Sequence, residues 1–272
     1  LQEYFAAFEM DERRRAGVSA AEYFPGEQWW QQTGWEETAL LLAGMTGDST
    51  EVVRWLTLVQ PTLAYRCATE SGAPCAEDAL QALYEPAEGA RRDPIARAAW
   101  GRILAEQGDT RPGVSLRADG LPDIQWGQPL PAGTYTIGGD NDAFRSLPEQ
   151  QVTFGYSYRL AVYPVTYAQF QTFLDASDGF DNDTWWTDLP EEWRKQAMEE
   201  QNNRYANHPR ENVSWYQAVA FSKWLTTKYH AAGLLSAELE IRLPTQLEWE
   251  AAARYPDGRK YPWGNTYQVG QA

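Results

Sequence analysis

The chain has 272 residues, 43% of them hydrophobic, which is enough for a real core in one large or two ordinary domains. A formal net charge of −15 argues against a nucleic-acid backbone or an anionic membrane surface as partner, and no apolar run reaches membrane-spanning length. With two cysteines (Cys67 and Cys75) and two histidines (His208 and His230), no zinc site can be assembled; the thiols read as buried or incidental, with a disulfide between them as the alternative.

Residues 1 to about 115 read as helical. LQEYFAAFEM opens without a cap, and Leu1 is no initiating residue, so the sequence reads as a piece of a longer protein. GWEETALLLAGMTGD places Trp35, Ala39, Leu42 and Ala43 on one face. Ser49 is expected to cap the next helix, with Val52, Val53, Leu56 and Val59 at helical spacing and Pro61 past its end. Further helices are expected from Ala76 to Leu83 and from Pro94 to Glu106. The Gly-, Pro- and Asp-rich run that follows supplies a boundary, with 116–132 read as a linker.

Beyond it, Tyr135 and Ile137 alternate with threonines, and Val152, Phe154 and Tyr156 alternate with polar residues; both are expected strands of a half-buried sheet. The loop between them holds Asp140, Asn141 and Asp142, too few oxygens for calcium and better read as solvated. Leu160 and Val162 suggest another strand. Three helix starts then carry a capping box: Thr166 with Gln169, Ser214 with Gln217, and Thr245 with Glu248. Glu240, Ile241, Arg242 and Leu243 alternate like a short strand ended by Pro244, and Lys223, Lys228 and Arg254 read as solvated or helix-end charges. Ser214, His208 and Asp257 could be drawn as a triad, but the cap explains Ser214 and a loop explains His208, so no catalytic residue is assigned. Trp185, Trp186 and Trp193 lie among carboxylates in the loop-rich 178–207 stretch; packing is the first reading, and the wall of a ligand cleft is the second.

The blocks NVSW..A..F..W, RLPT..EWE.AAR and YPWGN, with YPVT..Q...F before them, resemble the formylglycine-generating enzyme (sulfatase-modifying factor) family of C-type-lectin type. That resemblance implies an α+β chain: an N-terminal all-α helical array over 1–115, and over 133–272 an incomplete C-type-lectin-like domain, its first half only. It further implies catalysis by a cysteine pair that binds copper, and calcium ligands, all beyond Ala272. Neither Cys67 nor Cys75 matches that pair, so copper or calcium is expected only with a C-terminal continuation. A related sulfoxide-synthase branch builds an iron site from several histidines of a helical bundle, which two histidines outside the arm exclude.

The run LQEYFAA and the junction AAWGRILAEQGDTRPGVSLRADGLPDIQW resemble the helical arm of bacterial NACHT/STAND-type signalling ATPases. No GxxxxGK[ST] loop is present, so an NTPase domain is expected upstream. The reading is a non-catalytic, cytoplasmic sensor module for a protein or small-molecule ligand, of the kind that diversity-generating retroelements vary. A copper oxidoreductase with cysteines beyond Ala272 and a structural adaptor are the alternatives.

Overall fold

A computed structural model describes residues 2–25, 33–57, 59–72, 101–106, 108–142, 146–193 and 196–267. The chain divides into two compact units, one running through Leu104 and the other from Ala105 to Val269.

The first unit is helical: α1 (Gln2–Arg15), α2 (Glu36–Met45), α3 (Thr50–Thr57) and α4 (Pro61–Ser71). Residues 101–106 are also helical, the described end of the helix expected from Pro94. The helix expected over Ala76–Leu83, and Cys75 with it, lies outside the described residues. Ala39, Leu42 and Ala43 of α2, Val52, Val53 and Leu56 of α3, and Leu63, Ala64, Cys67 and Ala68 of α4 form one aliphatic cluster. Burying these stripes is what holds short helices, which are marginal alone.

Two details differ from expectation. The Thr50 amide donates to Asp48 Oδ1 while the Ser49 hydroxyl faces Ser71, so Asp48 supplies the first-turn acceptor of α3. Pro61 does not merely follow a helix; α4 begins there and closes at Gly72, whose φ of 72° allows its N–H to reach Ala68 O. Cys67 is buried and free, and burial pushes its thiol up to about 12.

The second unit has one antiparallel hairpin, β1 (Gly133–Ile137) with β2 (Gln150–Phe154), in which Tyr135 faces Val152. Among the described residues three α-helices follow, α5 (Tyr167–Asp175), α6 (Trp215–Ala231) and α7 (Gln246–Arg254), with short 3-10 turns at Asp183–Trp186 and Glu191–Trp193. Most of the remaining backbone is irregular. Leu160 and Val162 lie outside any strand, with a single bridge from Ala161 to Trp126. Glu240–Leu243 is likewise not a strand among the described residues, because its one cross-link is to a side chain, Thr226. Residues 116–132 are woven into this unit rather than strung before it: Leu130 exchanges main-chain bonds with Tyr158, and Pro122 O accepts from the Tyr229 hydroxyl at 2.6 Å. Turn-forming residues read alike in a linker and in a packed loop.

Its core is aromatic. Phe170, Phe173, Trp186, Phe221 and Trp224 are buried together, with Phe170 and Phe221 stacked at 5.0 Å.

Candidate functional site

All three capping boxes are formed, each with the cap oxygen on the third-residue amide and the third residue's side chain on the cap amide. Two of the glutamines reach further than a cap requires. Gln169, wholly buried, accepts from Thr166 N through Oε1 and donates Nε2 to the carbonyls of Gly113, Ser115 and Asp123. Gln217 accepts from Ser214 N and donates to Gln196 O at 3.1 Å. Gln201, buried as well, donates to Asn203 O and Pro209 O and accepts from Glu211 N and Arg210. Irregular chain cannot satisfy its own polar groups, and these amides do so instead.

Glu248 is the corresponding acid. It is 1% exposed and accepts from Thr245 N, from the Tyr156 hydroxyl at 2.8 Å and, in a two-pronged pair, from Arg242 at 2.6 and 2.8 Å. Bonding to the Arg242 guanidinium lowers its carboxyl to about 2, and Glu248 in turn raises Arg242. Arg254 lies in the last turn of α7, as read from sequence, and in addition donates to Gly138 O and Gly258 O and pairs with Glu250, whose carboxylate takes the Gly138 N–H. Lys228 pairs with Asp178, and Lys223 with Asp188 at 3.1 Å. Such groups hold the fold; none is poised for proton transfer.

Two concavities open on this unit: one of ≈ 680 Å³ lined by Gly139, Asp140 and Glu149 among others, and a cleft of ≈ 360 Å³ over the middle of α6. Val219, Lys223 and Thr226 form its floor, Trp185 and Asp188 one wall, and Glu240 to Leu243 the other. Of the three tryptophans weighed as ligand contacts, Trp186 is wholly buried with its N–H on Phe180 O, a core residue. Trp185 is 8% exposed, gives its N–H to Asp178 O at 2.6 Å, and shows an edge to the cleft. Trp193 is at the surface, stacked on Tyr216 at 5.5 Å, and does not line the cleft. Sequence reasoning missed Thr226, Glu240 and Arg242 as cleft residues; the alternation at 240–243 was the available signal.

Asp140 and Asp142 both face Lys260 Nζ, at 3.2 and 2.8 Å, so an ammonium already pairs with both carboxylates of the loop where calcium was weighed. The paper triad does not assemble. Ser214 Oγ accepts from Gln217 N, His208 Nδ1 lies at Pro209 O, and Asp257 pairs with Arg259. Among the described residues no cluster of three His, Cys, Asp or Glu side chains could hold a metal ion. The residues present also do not fit a copper–thiolate centre: residues 129–272 contain no cysteine, and His230 Nε2 is 2.8 Å from Leu239 O. No described helix is long and apolar enough to cross a membrane.

The model of the sulfatase-modifying factor enzyme 1-like domain matches residues 129–272. The formylglycine-generating enzyme of Thermomonospora curvata is 32% identical over 171 residues, covering 50% of this chain and 51% of that protein. A hercynine oxygenase of Mycobacterium tuberculosis is 27% identical over 129 residues, 40% of this chain and 27% of that protein. The serine/threonine-protein kinase pkn1 of Chlamydia pneumoniae is 28% identical over 144 residues, 48% of this chain and 20% of that protein. The chain thus spans about half the length of the first of these and less of the others. No solved structure matches it significantly.

Proposed function

The chain belongs to the sulfatase-modifying factor enzyme 1-like family, and from that premise we propose that its second unit is a non-catalytic binding module. One observation carries the reading: the buried polar side chains Gln169, Gln201, Gln217 and Glu248 are bonded to helix caps, main-chain carbonyls and Arg242, and none of them lines the α6 cleft. Relatives that bear the names of a formylglycine-generating enzyme, a hercynine oxygenase and a serine/threonine-protein kinase support a scaffold that is not tied to one reaction.

The finer form of this proposal is a sensor in a bacterial signalling or defence ATPase. The helical unit would join an upstream NTPase domain to a C-type-lectin-type module that takes a protein or small-molecule ligand in the cytoplasm, with surface residues open to diversification by a retroelement. Its support is the resemblance of the LQEYFAA and AAWGRILAEQ segments, together with a fold whose polar interior is spent on structure.

The test is copper titration of the protein with oxygen uptake followed in the presence of a cysteine-bearing peptide. Uptake at the buffer rate and no stoichiometric copper binding are expected. Stoichiometric copper with sustained, peptide-dependent uptake would overturn the reading.

A further inference from the structure

The start of α5 is enclosed by two stretches of irregular chain. On one side, the Tyr167 and Ala168 amides donate to the carbonyls of His208 and Ala206, at 2.7 and 3.0 Å. On the other lies the strap 109–124, where Val114 O accepts from Thr166 Oγ1, and Gly113 O, Ser115 O and Asp123 O accept from Gln169 Nε2. The strap is tied across itself, because Asp123 Oδ2 accepts from Gly113 N at 2.8 Å and Leu116 bridges to Pro122. Its far end is gripped from α6, where the Tyr229 hydroxyl donates to Pro122 O and accepts from Ile124 N. The two stretches then meet, since Asp109 Oδ2 accepts from Asn207 Nδ2 at 2.8 Å while Arg111 pairs with the same carboxylate. Asp109, Val114, Thr166 and Gln169 are all buried.

These bonds close a ring, from strap to α5, to the 206–209 loop, and back through Asn207 to Asp109. Thr166 joins its halves, since one hydroxyl both caps Gln169 N and binds Val114 O. Freeing the strap leaves its buried carbonyls without donors, and losing Thr166 and Gln169 to it uncaps the helix; each half depends on the other. The apolar anchors of the strap, Leu121 and Ile124, pack on the aromatic cluster of α5 and α6, whereas the hairpin and α7 share a cluster of their own. We propose that the strap is a conformational latch: it and the first turn of α5 close and open as one unit while the hairpin stays folded. The strap follows the helical unit in sequence and precedes residue 129, where the family match begins. A displacement of the chain before Asp109 therefore reaches the second unit as uncapping of α5. This goes beyond the binding-module reading and stands without it.

The experiment is amide hydrogen exchange of the full chain, read residue by residue, in the native protein and in two variants that touch the latch only at its ends. Tyr229→Phe removes the hydroxyl on Pro122 and Ile124 and keeps the ring, and Asp109→Ala removes the tie to Asn207. Neither side chain hydrogen-bonds to α5. In Tyr229→Phe the amides of Gly113, Asp123 and Gln169 should exchange faster together, by about tenfold, the effect of one lost buried hydrogen bond. Asp109→Ala should do the same from the upstream end, and the β1–β2 hairpin should keep its rates in both. An unmoved Gln169 rate would overturn the proposal, whatever Gly113 and Asp123 do, as would equal acceleration in the hairpin. Should Asp109→Ala fail to fold, the native protein in rising urea decides. Opening of the strap and of the first turn of α5 should follow one urea dependence, shallower than that of the hairpin. Two separate dependences, or one shared with the hairpin, would sink the latch.

Discussion

The two units solve the same problem by different means. In the helical unit most of the described main chain bonds to itself, so its buried cluster is largely aliphatic: Ala7, Ala39, Leu42, Val52, Val53, Leu56 and Ala64 need only fill space, with Tyr23 and Phe24 beside them. In the second unit much of the main chain is irregular, and its polar groups must be met from outside. Gln169, Gln201, Gln217 and Glu248 are buried there to do that, and tryptophan and tyrosine join them because each carries a donor on a large apolar body. The lesson is that buried polar side chains mark where secondary structure is missing.

The largest break in that contrast should come at Glu248. Glu248→Ala strands Arg242, the Tyr156 hydroxyl and the Thr245 amide, all of which water can reach, and should cost about 3 kcal/mol in urea unfolding. The acid limb gives a finer reading. The carboxyl is held at about 2 against an ordinary 4.5, so its contribution is full above about pH 4.5 and fades as pH falls toward 2. Glu248→Gln should therefore flatten the stability profile across that window, and an unchanged slope would disprove the assignment.

Close to it in size, Gln169→Leu should cost about 3 kcal/mol, since it leaves three carbonyls and one amide without their partner. The matched change in the helical unit is Thr38→Val. Thr38 is buried at 4% exposure in α2, where the main chain is already satisfied, and its loss should stay within about 1 kcal/mol. Equal costs at the two positions, measured by chemical denaturation, would erase the distinction between the units. Gly179→Ala sharpens the point sterically: the added Cβ would run into Phe173 O, on the tight return that follows α5, and should lower the melting temperature. The smallest effect belongs to Lys260→Ala. It removes an exposed ammonium between two aspartates and should leave the unfolding midpoint essentially unmoved.

What was legible in the sequence follows the same division. The capping boxes could be read because cap and partner are three residues apart, and the hairpin because Tyr135, Ile137, Val152 and Phe154 alternate. The family could be read because its blocks occur in order over residues 129–272. The long arm of Gln169 could not, since its acceptors are carbonyls of residues 113, 115 and 123, which have no signature in side-chain identity. Helix α4 was hidden behind Pro61, which reads as a stop as readily as a start. The 240–243 alternation was visible, but no local pattern announces that its partner would be the hydroxyl of Thr226 rather than a second strand. The cleft inherits that gap, because one of its walls is that segment.

The Gln169 amide has one more consequence. It recognises the loop before it through main-chain carbonyls alone, and so is indifferent to which side chains that loop carries. Substitutions at Ser115 that keep the backbone path leave the clasp intact, whereas at position 169 asparagine is too short and glutamate, when ionised, has no hydrogen to give. The unit therefore concentrates its intolerance of change into a few interior letters and frees the residues they hold, an arrangement under which an outer surface can drift without dismantling what it is built on.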